Sequence, residues 1–325
     1  MSRLYGALEK ADVAAHNNGI TRAVPRHLLR VADFSADEIS QLITRARALK
    51  QRPARPLQGK TLGLIFEKAS TRTRISFEVA MTQLGGHSLF LSADELQLGR
   101  GEPIGDTARV LSRYLDGLVI RTFDQATLDA WATHATIPVI NGLTDLHHPC
   151  QALSDLLTIA DVFGRLNGLK LSYIGDGNNV AHSLMEAAAR TGLSMTLACP
   201  TRYAPDTAVL AQARRDAKTT GATIELTTDP AAAARGSHVL YTDVWTSMGQ
   251  ERQAARRKKI FRPYQLNRSL VKLARPEAIV MHCLPAHRGE EITDEVMDHP
   301  QSVIFQQAEN RLHMQKAILE WLLGS

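Results

Sequence analysis

The chain has 325 residues, 44% hydrophobic and 22% charged, with a formal net charge of +5. That is more chain than one core usually supports, so two domains are expected. The longest apolar runs are strand-sized and far short of a membrane span, and the modest positive charge would steer an anionic substrate without demanding nucleic acid.

Residues 1–25 carry no apolar signal core, and Glu9 and Asp12 do not suit an organellar transit peptide; we read them as an extension. Ser35 with Glu38 three residues later has the form of a capping box and starts a helix running to about Leu49. Thr61–Phe66 reads as a buried strand. A helix follows Ser70, with Ile75, Val79 and Leu84 on one face, then the strand Ser88–Leu91. Next come a helix from Ile104 to Tyr114, the strand Gly117–Arg121, a helix near Gln125–Thr133, the strand Ile137–Asn141 and a long helix from Pro149 to Phe163.

A second alternating series begins at Lys170–Ile174. Helix Val180–Thr191, strand Ser194–Cys199, helix Pro205–Thr219 and strands Thr223–Leu226, Val239–Tyr241, Ile279–Met281 and Val303–Phe305 lead to a final helix, Glu309–Leu323. Strands alternating with crossover helices mean parallel sheets covered on both faces. The fold class is therefore α/β, with two doubly wound parallel-sheet domains joined by interdomain helices. The divisions expected are 26–160, 161–306 and a terminal helix, 307–325, packing back on the first domain. Ligands of such sheets bind beyond the carboxyl ends of the strands.

The polar clusters fall at those ends. Ser70-Thr71-Arg72-Thr73-Arg74 joins a strand to a helix, where free N–H groups and the positive dipole end attract an anion and arginines offer a fork for phosphate or carboxylate. A well-capped helix with solvated arginines fits the same residues. Gln97 lies in a long polar loop of the kind that is more often functional than structural. Arg121 ends a strand, aimed at a crevice or at solvent. His148 precedes Pro149 at the start of the hinge helix and could donate to an oxyanion or shuttle a proton. Asn179 in Gly175-Asp176-Gly177-Asn178-Asn179 could hold a carboxylate or cap its helix; the dinucleotide pattern fails where Val180 replaces the third glycine.

Asp243 follows a strand and suits an ammonium group. The basic run from Arg252 to Lys259 reads as a solvated, mobile lid and is too narrow for nucleic acid. Cys283 follows another strand as a buried hydrophobe or a site thiol. Zinc at His147, His148, Cys150, His282 and Cys283 lacks a CxxC or HExxH pattern. Three widely spaced cysteines, Cys150, Cys199 and Cys283, suit a reducing, cytoplasmic compartment rather than a disulfide framework.

In this order the clusters closely resemble the aspartate/ornithine carbamoyltransferase family. Ser70-Thr71-Arg72-Thr73-Arg74 matches its carbamoyl-phosphate signature, His148-Pro149-Cys150-Gln151 its second motif and His282-Cys283-Leu284-Pro285 its third, while Asp243 with Ser247-Met248-Gly249 resembles the ornithine-binding signature. The resemblance runs from about Arg26 to the C-terminus. It implies transfer of a carbamoyl group from carbamoyl phosphate to the δ-amine of L-ornithine, giving citrulline and phosphate in arginine biosynthesis without metal or organic cofactor. Ser70, Thr71, Arg72 and Thr73 would hold the phosphate, Gln97 would close on it and Arg311 would add charge. Arg121, His148 and Thr73 would polarise the carbonyl; Gln151 and the Leu284 carbonyl would contact the carbamoyl nitrogen. Asn179 and the Met248 backbone would hold the α-carboxylate of ornithine, Asp243 and Ser247 its α-amine, and Cys283 would adjoin the δ-amine. The family likeness also implies a homotrimer whose neighbouring subunit completes each site; residues 1–24 precede the family's usual start. A binding-only relative and an NAD-dependent oxidoreductase are the rival expectations.

Overall fold

The computed structural model describes residues 25–52, 54–92, 96–97, 101–246, 249 and 251–324. Helix α1 (Ala36–Gln51) starts at the expected capping box: Ser35 Oγ accepts from Glu38 N at 3.2 Å, and the Glu38 carboxylate accepts from Ser35 N at 2.8 Å. Then β1 (Thr61–Phe66), α2 (Thr71–Gln83), β2 (His87–Ser92), α3 (Ile104–Leu111), β3 (Gly117–Arg121), α4 (Gln125–His134) and β4 (Val139–Leu143) alternate. Their four strands form one parallel sheet in the order β2-β1-β3-β4.

Helix α5 (Pro149–Phe163) leads out of this sheet. Every residue from Pro149 to Ala160 is buried, and Gly164 ends the helix at φ 72°, a left-handed position that costs glycine little. The second series is β5 (Lys170–Ile174), α6 (Asn179–Thr191), β6 (Ser194–Ala198), α7 (Thr207–Thr220), β7 (Ile224–Thr227), α8 (Pro230–Ala234), β8 (Val239–Thr242), α9 (Ala254–Phe261), α10 (Arg268–Val271), β9 (Ile279–His282), α11 (Asp294–Met297) and α12 (Ile304–Leu323). Its five strands make a parallel sheet in the order β7-β6-β5-β8-β9. Helix α12 returns to pack on α1, α2 and α5.

Three expectations are corrected. Val303–Phe305 is not a strand: the backbone pairs with Val280 only at Ser302, after which Val303 becomes the N-cap of α12. Arg311 consequently lies two turns inside α12 rather than at its start. Ile75 and Val79 do not face the core; they are 52% and 37% exposed, and Thr73, Phe77, Ala80 and Met81 are the buried residues of α2. The basic run is solvated as expected except at one residue: most of it forms helix α9, whose Arg257 is buried in an ion pair with Asp176.

Candidate active site

Each sheet reverses its winding once. In the first sheet the reversal lies between β1 and β3, whose carboxyl ends carry Ser70–Thr73 and Arg121; in the second it lies between β5 and β8, which carry Asp176–Asn179 and Asp243. Such switch points open a crevice in a doubly wound sheet.

At the first, Ser70 caps α2, accepting from Thr73 N at 3.3 Å, and Thr71 and Arg72 are exposed in the first turn. Arg311 reaches in from α12: its Nη2 donates to Thr73 Oγ1 at 2.9 Å and its Nη1 donates to Gln151 Oε1. Arg121 is buried, and burial, with Arg311 and Arg72 nearby, brings its guanidinium down to about 10. The same burial, with Arg311 and Arg121 adding to it, holds the His148 imidazole well below its ordinary value, so it is neutral at pH 7. The His148 backbone N–H donates to Ser183 Oγ at 2.7 Å, while its Nδ1 has no hydrogen-bond partner among the described residues. The structure therefore brings Ser70, Thr71, Arg72, Thr73, Arg121, His148, Gln151 and Arg311 together. Two buried guanidiniums, Arg121 and Arg311, with the exposed Arg72 close enough to oppose their charge, create a strong demand for an anion. Gln97 is exposed.

At the second switch point, Asp243 is buried; its Oδ2 accepts from Asn178 Nδ2 at 2.7 Å, and its Oδ1 accepts from Val244 N at 2.8 Å and from the Cys283 thiol at 3.0 Å. Burial, reinforced by Asp243, keeps the Cys283 thiol far above its ordinary range, so Cys283 acts as a neutral donor and not as a thiolate. Leu284 takes a φ of 60°, rare for a leucine, and its N–H donates to His282 Nδ1 at 2.9 Å. Asn179 is the first residue of α6, and its Nδ2 donates across to the Thr144 carbonyl at 2.6 Å. Ser247 and Met248 lie outside the described residues.

The helix cap is Asn178, which accepts from Val180 N at 3.1 Å and Ala181 N at 3.2 Å while also donating to Asp243. Sequence reasoning missed this residue in favour of its neighbour, although an asparagine at a strand-to-helix junction was the available signal. The glycines of the same loop need no nucleotide: a Cβ on Gly177 would lie 2.4 Å from Pro205 N. The five-residue zinc set does not assemble, since Cys150 donates to the Asn141 carbonyl at 3.4 Å and His147 packs by Glu186 and His182. Asp243, His282 and Cys283 place their polar atoms within 4.8 Å of one another. Both imidazole nitrogens of His282 are already engaged, one by Leu284 N and one by Glu291, at 2.9 and 3.1 Å.

Two facing crevices, one cationic and one built around a buried carboxylate, define an enzyme that joins an anionic substrate to a second, amine-bearing one. Residues 26–161 match the carbamoyl-P binding domain of aspartate/ornithine carbamoyltransferase, and residues 167–322 match its Asp/Orn binding domain. The chain belongs to the aspartate/ornithine carbamoyltransferase family. It is 57% identical to the ornithine carbamoyltransferase of Gloeobacter violaceus over 94% of this chain and 98% of that one. It is 53% identical to the anabolic ornithine carbamoyltransferase of Pyrococcus furiosus, over 92% and 96%. The solved Pyrococcus furiosus ornithine carbamoyltransferase superimposes with a TM-score of 0.90 at 52% identity, covering 94% of this chain and 99% of that one. An acetylornithine transcarbamylase complexed with acetylcitrulline matches with a TM-score of 0.83 at 32% identity, covering 92% and 99%.

Proposed function

We propose that this protein transfers the carbamoyl group of carbamoyl phosphate to the δ-amine of L-ornithine, giving L-citrulline and phosphate in the direction of arginine synthesis. The convergence of Arg311, Arg121 and Arg72 on Thr73, His148 and Gln151 carries this reading. Residues 26–160 take carbamoyl phosphate and residues 161–306 take ornithine, with 307–325 folded back on the first domain. The phosphate lies on the Ser70–Thr73 N–H groups and the guanidiniums, with Gln97 closing over it. The carbonyl oxygen faces Arg121, Thr73 and neutral His148; Gln151 and the Leu284 carbonyl take the carbamoyl N–H groups. Asn179 and the Met248 backbone hold the ornithine α-carboxylate, and Asp243 and Ser247 hold its α-amine.

The uncharged δ-amine, beside Cys283, adds its lone pair to the carbonyl carbon. The developing oxyanion is met by donors already in place, each worth about 2.7–4 kcal/mol in comparable sites. Collapse breaks the carbon–oxygen bond to phosphate, and the amine proton leaves with the phosphate. No metal or organic cofactor enters these steps.

A homotrimer in the cytoplasm completes the proposal. Ile75 and Val79 on α2 and Leu89 on the edge strand β2 leave apolar side chains of the first domain exposed, and the three cysteines are free thiols. Among the described residues no helix is long and apolar enough to cross a membrane. The deciding experiment measures product formation from carbamoyl phosphate with ornithine, N-acetylornithine, putrescine and aspartate in parallel. Preference for ornithine is expected. Preference for another amine overturns the second-substrate half, and no turnover by folded protein leaves a binding-only relative.

A further inference from the structure

Asp155 lies on α5 one turn beyond Gln151 and has no exposed surface. Its Oδ1 accepts from Gln151 Nε2 at 2.8 Å and from Gln307 Nε2 at 2.7 Å, and its Oδ2 accepts from the Tyr241 hydroxyl at 3.0 Å. All three hydrogen-bond donors are neutral. A buried carboxyl that takes its hydrogen bonds from amides and a phenol is costly to ionise, and burial pushes it up to about 7 even with the Arg311 guanidinium nearby; above that pH it is a carboxylate, and none of the steps above uses it.

Its partners explain what the cost could serve. A carboxylate only accepts, so it dictates which end of an amide faces it. Gln151 is thereby held with Nε2 towards Asp155 and Oε1 towards the Arg311 guanidinium. Gln307 is fixed in the same sense: Nε2 faces Asp155, and Oε1 accepts from His282 N at 2.8 Å, at the end of β9 that leads into Cys283 and Leu284. Tyr241 stands on β8 two residues before Asp243, its ring stacked on Tyr173 with centroids 5.6 Å apart. One side chain thus touches the cationic half-site through Gln151 and both strand ends of the other half-site through Gln307 and Tyr241.

We propose that Asp155 is the positioning residue shared by the two half-sites, a single acceptor that orients Gln151 for carbamoyl phosphate and fixes the ends of β8 and β9 that present Asp243, Cys283 and Leu284. The role rests on the carbamoyl-transfer reading. It differs from a merely structural one in that an isosteric change which leaves the chain folded alters substrate constants. Asp155→Asn replaces one of the two acceptor oxygens with a donor, so either the Tyr241 hydroxyl or both Gln151 and Gln307 lose their acceptor.

The test compares wild type, Asp155→Asn and Tyr241→Phe at pH 8.5, with circular dichroism and melting as controls for folding. Asp155→Asn is expected to raise KM for both substrates and lower kcat/KM by about 10–100-fold, the usual cost of losing a group that orients a ligand contact. Tyr241→Phe, which removes one hydroxyl, raises KM for ornithine and leaves that for carbamoyl phosphate in place. An Asp155→Asn enzyme with wild-type KM values and a kcat reduced only in proportion to its folded fraction overturns the proposal. So does a folded Tyr241→Phe with an unmoved ornithine KM, whether or not Asp155→Asn folds. A wild type that makes no citrulline defeats the carbamoyl-transfer reading itself, a result separable from either of these.

Discussion

Arg311 on α12 donates to Thr73 Oγ1 on α2 at 2.9 Å, joining residues 238 positions apart. The bond places a guanidinium, buried and pressed by its like-charged neighbours, over the first turn of the helix that offers free N–H groups. A positive dipole end and a positive side chain face the same space, and only an anion relieves both.

Arg72→Ala and Arg311→Lys each weaken that demand. Truncating Arg72 is expected to cost carbamoyl-phosphate affinity about 1.5–3 kcal/mol, the range for a hydrogen bond to a charged group. The lysine keeps the charge at 311 but loses the fork that serves Thr73 and Gln151 together. Titration calorimetry with carbamoyl phosphate checks both. Unchanged affinity in Arg72→Ala rejects the phosphate assignment.

Asp243→Asn separates the two substrates. Ornithine KM should rise by at least an order of magnitude, about 1.4 kcal/mol, while carbamoyl-phosphate binding without ornithine stays near wild type. Steady-state kinetics alongside a binding assay reads both at once, and equal losses of both would contradict the division of labour between the sheets.

Stability has its own pH signature at Glu186, buried beside His147. Burial pushes its carboxyl up to about 7 from an ordinary 4.5. Between those values the folded chain keeps a proton that the unfolded chain has released, so this group's contribution to stability falls as pH rises and is fully lost above about pH 7. Glu186→Gln should therefore raise the melting temperature at pH 8.5 relative to its effect at pH 4.5, by roughly 2–4 °C per kcal/mol relieved. His147, held down to about 4 by burial, acts in the opposite sense, losing stability as pH falls from 6.5 through 4. Melting curves at the two pH values decide the matter; an equal shift at both would show that Glu186 titrates in the fold as it does in the unfolded chain.

Arg257 pairs with Asp176, donates to the Trp245 carbonyl and lies 4.5 Å from the centre of the Tyr203 ring. Removing one member of a buried pair strands the other charge, typically at about 3–5 kcal/mol. Arg257→Leu should lower the urea midpoint by more than Arg257→Leu combined with Asp176→Asn. A double variant worse than the single would mean that the pair contributes little.

The alternation of strands and helices was legible because parallel strands buried on both faces read as continuous apolar runs such as Leu118–Ile120, and the loops after them as polar clusters. Arg121 and Asp243 stand out for the same reason, each polar at the end of an apolar strand, and His148 because it precedes Pro149 at the start of α5. The partners that orient them were hidden. Asp155, Tyr241 and Gln307 sit on three elements far apart in the chain, and no local pattern distinguishes a buried carboxylate on α5 from an ordinary helix residue. Ile75 and Val79 misled for the converse reason, since helical spacing marks an apolar stripe without saying what covers it.

The position of Arg311 also bears on how the enzyme comes into being. Domains of a growing chain fold in order as they are made, at about 5–20 residues per second. The 238 residues between Thr73 and Arg311 then correspond to roughly 12–48 s of synthesis. During that interval the first sheet can be complete while its anion site still lacks one of its cations. On the proposed assignment, a nascent chain has no finished grip on carbamoyl phosphate until nearly all of it has been made.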